Sequence, residues 1–162
     1  MNHKLKMILV TAVASTSLFT STAYSATAGA SMNILTPIVI SQVTDLSFGD
    51  TFVPATGGTV VVSTAGTATP TGDVTLPTGT VTAAEFDVVG EASSAYTVTL
   101  PASATMTNGA TGSITIDTFN HNATEALSVG GTETFQVGAT ATLAAAQEAG
   151  AYTGSFDVTV AY

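Results

Sequence analysis

Of the residue types that do chemistry, the sequence offers few, and none in a productive pattern. There are two histidines, His3 and His121, and no cysteine or tryptophan. His121 sits in Phe119-Asn-His-Asn122 with no Gly-x-Ser-x-Gly motif around it. A triad needs a nucleophile and an orienting acid in register with its base. His121 therefore reads as a surface-turn histidine. Glu85 and Asp87 alternate with Phe86 and Val88, and Glu91 follows Gly90. Paired carboxylates suit glycoside hydrolysis or a calcium ion. The dense Asp/Asn/Gly loop of a calcium site is missing, and aromatics that would stack on sugars are sparse. Carboxylates at i and i+2 read instead as the solvated face of an edge strand. No catalytic residue, metal ligand or cofactor site is expected, and a hydrolase ranks last among the functional readings.

The charge distribution is as informative. Both basic residues, Lys4 and Lys6, precede an apolar run from Met7 to Phe19, and small residues follow. That order describes a secretory signal peptide over residues 1–25, with Ala23-Tyr24-Ser25 suited to the peptidase and Ala26-Thr27-Ala28 a close competitor. The mature chain then carries all eleven Asp and Glu and no Lys or Arg. It has no basic patch for nucleic acid or anionic lipid, and no second stretch long and apolar enough to span a bilayer. The expected location is secreted or cell-surface, through the periplasm in a Gram-negative cell.

The elements that would position any site are strands. Phe156, Val158, Val160 and Tyr162 alternate with Asp157, Thr159 and Ala161, the period of a half-buried strand. Similar alternation runs through Ala83–Val89, Ala95–Leu100, Ile114–Asp117 and Thr132–Val137, and Thr59–Ser63 is a short strand. Gly57-Gly58, Asn108-Gly109 and Gly130-Gly131 mark turns, and the tract 64–72 reads as a loop. Leu143–Ala149 is the one helix-like run, short enough to be a connector. The pattern predicts an all-β, single-domain, antiparallel immunoglobulin-like β-sandwich over residues 26–162. Near its start, Met32, Ile34, Ile38 and Ile40 share a face if the strand is continuous. Pro37 cannot donate to a ladder and marks an edge, a bulge or a break. Residues 26–41 are thus either the domain's own first strand or a strand offered elsewhere.

Three stretches carry a resemblance. Asn33 to Gly49, with its Pro37-Ile-x-Ile40 and Asp45-Leu-x-Phe-Gly49, resembles the opening of a bacterial secreted family known as a domain of unknown function, numbered forty-four zero two. Gly131 with Phe135–Thr140, and Gly150-x-Tyr-x-Gly-x-Phe-x-Val-Thr-Val-x-Tyr162, resemble its closing pattern. The internal Phe86-x-Val-x-Gly90 and Tyr96-x-Val-x-Leu-Pro101 fit too. That family is similar to the spore-coat-U-like pilins of the archaic chaperone–usher pathway, although this chain lacks their usual cysteines. The resemblance implies an incomplete sandwich whose groove is filled by an N-terminal strand of another subunit. Residues 26–35 would be the donor, offering Met32 and Ile34, and Phe156–Tyr162 would edge the groove. Expected partners are further copies or related surface subunits, with a periplasmic chaperone and usher.

The assembly residues on this reading are Met32, Ile34, Ile38, Ile40, Phe156, Val158, Val160 and Tyr162. The leading expectation is a structural subunit of a fibre or pilus-like surface assembly joined by donated strands. The alternative is a monomeric adhesin or carbohydrate- or calcium-binding module using loops such as 64–72 and 120–124.

Overall fold

The computed structural model describes residues 22–52, 54–109 and 111–162. The signal peptide expected over 1–25 lies outside the described residues except for its last four. The chain divides into two units, Met1–Asn33 and Ile34–Tyr162. In the first, residues 22–33 are exposed and form no strand. The second contains every strand found among the described residues.

Those strands are β1 (Val39–Thr44), β2 (Ser47–Phe48), β3 (Gly58–Val62), β4 (Ala68–Pro70), β5 (Val81–Thr82), β6 (Ala84–Val89), β7 (Thr97–Thr99), β8 (Ser103–Thr107), β9 (Ser113–His121), β10 (Thr132–Leu143) and β11 (Thr159–Ala161). All pairings are antiparallel, and no helix occurs among the described residues. The all-β, antiparallel expectation holds. One seven-stranded sheet runs β1-β6-β10-β3-β4, with β9 on β10 and β8 on β9, while β11–β7 and β2–β5 form two-stranded pairs.

Strand β10 organises the packing. Phe135, Val137, Ala139, Ala141 and Leu143 fall on one face and are all buried, as period-two alternation requires. Val137 pairs with both Ala84 and His121, and Thr140 with both Val61 and Asp117. Strands β6 and β3 therefore follow one another along one edge of β10, and β9 occupies the other. Gly138 stands at the handover: a Cβ there would lie 2.3 Å from the Val62 carbonyl oxygen. Only glycine permits that approach. The inward face of β10 feeds two core clusters. Phe135 and Val137 pack with Phe86, Val88, Tyr96 and Leu127, whereas Ala141 and Leu143 pack with Val60, Val62, Val74 and Ile114.

Several details differ from the sequence reading. The tract 64–72 carries β4, because Ala68–Pro70 finds β3 to pair with. Val74–Leu76 is no strand, though Val74 is buried. Strand β10 extends past Val137 to Leu143, since small alanines let it pass between two partners, and Leu143–Ala149 ends as a turn rather than a helix. Strand β6 is interior, flanked by β1 and β10, and is not the edge strand its carboxylates suggested.

Candidate functional site

Among the strands with an edge lacking a ladder partner, β1 and β11 lie beside one another. Strand β1 ends the large sheet, paired only with β6, and β11 pairs only with β7. Ahead of β11, Thr153 bridges Thr107 through two backbone hydrogen bonds of 2.9 and 3.0 Å, but residues 154–158 belong to no strand. Tyr162 meets Thr36 at one end, and Thr153–Phe156 face Gln42–Phe48 at the other, so the two flanks run in opposite directions.

Between them lies a cleft of about 320 Å³. Its apolar lining is Leu46, Phe48, Phe86, Met106, Ile116 and Phe156. A smaller cavity of about 120 Å³ shares Leu46, Phe48 and Met106 and continues toward Tyr152. Phe156 forms part of the wall because its ring packs 4.9 Å from Phe119 and edge-on to Phe86 at 6.5 Å. Gln42, Asp45, Thr153 and Ser155 add a polar side to this lining. A trough with apolar pockets beside an unpaired strand edge is the surface that strand addition uses.

The expected assembly residues separate into two groups. Ile38, Ile40, Phe156, Val158 and Val160 are half-buried and pack on the first core cluster. Met32 and Ile34 are 86% and 84% exposed. The chain changes character at Pro37, two residues before β1 starts. Tyr162 plays a part the alternation did not suggest: half exposed, its hydroxyl donates to the Thr36 carbonyl at 2.9 Å and accepts the Glu91 N–H at 2.5 Å. The Glu91 carboxylate in turn accepts the Thr36 N–H at 2.8 Å. The Thr36 backbone and hydroxyl together hold the Glu91 carboxyl below its usual range. Sequence spacing could not reveal this cluster, whose members lie 55 and 71 residues apart. The Gly90 before Glu91 is its one trace, since a Cβ there would fall 2.3 Å from the Tyr162 hydroxyl.

The remaining polar candidates are occupied structurally. Glu85 accepts Gln136 Nε2 at 2.9 Å and Asp87 accepts the Thr134 hydroxyl at 2.5 Å. His121 Nδ1 accepts the Ala123 N–H, and its ring stands edge-on to Phe135. No group of three or more His, Cys, Asp or Glu able to hold a metal occurs among the described residues. An open recess of about 520 Å³ is lined by Thr44, Thr64, Thr82, Glu85, Asn122 and Gln136, with Ala65, Gly66, Val81 and Ala83. Its Asn122 side chain is tied to Gln136 at 2.7 Å from both amide ends. No helix among the described residues is long and apolar enough to cross a membrane.

The family model described as Domain of unknown function (DUF4402) matches residues 38–162, the segment holding all eleven strands. No curated protein and no solved structure matches the chain.

Proposed function

The chain belongs to the family described as Domain of unknown function (DUF4402), and we propose that it is an exported structural subunit joined to its neighbours by strand donation. One observation carries the reading. The chain holds a cleft with apolar pockets and a polar rim, between the unpaired edge of β1 and the strandless residues 154–158, together with an uncharged segment, residues 26–35, whose Met32 and Ile34 are exposed. Burying an aliphatic side chain stabilises by about 1.5–3 kcal/mol. Ten extended residues reach about 33 Å, enough to follow residues 153–162 along their length. A second copy's residues 26–35 would set Met32 and Ile34 toward Leu46, Phe86, Met106 and Ile116, with main-chain hydrogen bonds to the edges of β1 and 154–158. Export and assembly by a periplasmic chaperone and usher complete the reading.

The test is Ile34→Asp. A charge in an apolar groove is costly, so polymers are lost, while the monomer keeps its far-ultraviolet circular dichroism and melting temperature. Polymers that persist, or a monomer that melts well below the parent, would sink the proposal. The second reading, a monomeric adhesin, is favoured by the polar recess, where Thr64 and Asn122 from the two expected loops converge. On that reading Asn122→Ala abolishes retention on a glycan array and Ile34→Asp does not.

A further inference from the structure

Resting on the strand-donation reading, we propose that Glu91 and Tyr162 clamp Thr36 and thereby deny this chain's own cleft to residues 26–35, committing them to a second copy.

The flanks of the cleft set the problem. Strand β1 leads away from Thr36, so residues 26–35 could enter their own cleft only as the first arm of a hairpin with β1. The chain would have to reverse at Leu35–Pro37. Such a tight turn needs Thr36 to rotate, and three features oppose this. The Thr36 N–H is held by the Glu91 carboxylate and its carbonyl by the Tyr162 hydroxyl. Pro37 restricts the residue before it to extended backbone. Gly90 lets the Tyr162 hydroxyl approach the β6 end of the sheet, where any larger residue would displace it. Both backbone groups of a single residue are thus fixed at the junction between the exposed segment and the first strand. A domain whose cleft simply awaited its own segment would need no such restraint there.

Tyr162 and Glu91 are on this account specificity-determining residues: they choose between two occupants of identical sequence. Neither side chain lines the cleft, in contrast to the groove-edge place expected for Tyr162, so their removal changes which chain supplies the strand.

The absence of cysteine allows a direct test. Asn33→Cys and Ser155→Cys place one thiol on the donor, between Met32 and Ile34 on the opposite face, and one on the exposed rim of the cleft. The purified protein is treated with a short bismaleimide, boiled in SDS and resolved by mass and mobility. With Glu91 and Tyr162 in place, cross-links between chains dominate. With Glu91→Ala and Tyr162→Phe added, the fraction cross-linked within one chain rises about tenfold, the factor expected from roughly one net hydrogen bond's free energy. Gly90→Ala, which evicts the hydroxyl while leaving both clamp residues, shifts the ratio the same way. Equal ratios in all backgrounds, or within-chain cross-links dominating in the parent, overturn the clamp while leaving donation standing. No cross-link of either kind in the parent overturns donation itself, and the clamp with it.

Discussion

At the scale of single residues, the polar groups of this chain serve the fold. With no Lys or Arg beyond residue 6, carboxylates such as Glu85, Asp87, Glu91 and Glu125 are paired with amides, hydroxyls and backbone N–H groups. Glu133 is the best example. Burial pushes its carboxyl up, but hydrogen bonds from the Thr124 N–H, the Tyr96 hydroxyl, the Thr124 hydroxyl and the Ala126 N–H outweigh that and hold it below its usual range. Tyr96 moves the other way: burial, then the bond and charge of Glu133, then the charge of Glu125, raise it well above the phenolic value. The two signs give two limbs. A depressed carboxyl contributes stability that is present above its unfolded value of about 4.5 and lost as pH falls through the lower folded value. A raised phenol contributes stability that is complete below pH 10 and is lost as pH rises beyond it. Denaturant midpoints measured against pH should therefore fall off on both sides, and Glu133→Gln should flatten the acid limb. An acid limb unchanged in that variant would show that other carboxylates supply it.

At the scale of elements, β10 decides the architecture by passing from β6 to β3 at Gly138. Gly138→Val places a branched side chain against the Val62 carbonyl, and backbone cannot yield as a flexible side chain would. Overpacking of this kind costs about 1–3 kcal/mol, read as a lower urea midpoint with an unchanged slope. A variant as stable as the parent would mean that the handover is not close-packed. The same strand shows where sequence was legible and where it was not. Alternation in Phe86/Val88, Ile114/Ile116 and Phe135/Val137 identified inward faces, because a strand's period is local. The Asn108-Gly109 hairpin was legible for the same reason, with Gly109 at φ 75° joining β8 to β9. The continuation of β10 through Ala139 and Ala141 was not, since alanine is indifferent to burial and its partners lie far away in sequence. The cleft was partly legible: Phe156 stood out by its alternation, whereas Met106 needed the β8–β9 register to place it.

At the scale of the whole molecule, strand donation as proposed would join an acidic chain to copies of itself. The eleven Asp and Glu of each copy repel those of the next, yet residues 26–35 carry none. Assembly should accelerate as added salt screens the repulsion, since the Debye length falls from about 10 Å at 0.1 M to about 3 Å at 1 M. Light scattering during assembly would read this, and a rate that drops with salt would point to attractive charge pairs instead. The central claim is that residues 26–35 of one copy complete the cleft of another. Its most direct test is a surface extract run in SDS, unboiled beside boiled, and probed for this protein. Strand donation predicts a ladder of regularly spaced bands in the unboiled lane that collapses to one band on boiling. A single monomer band in both lanes would contradict it.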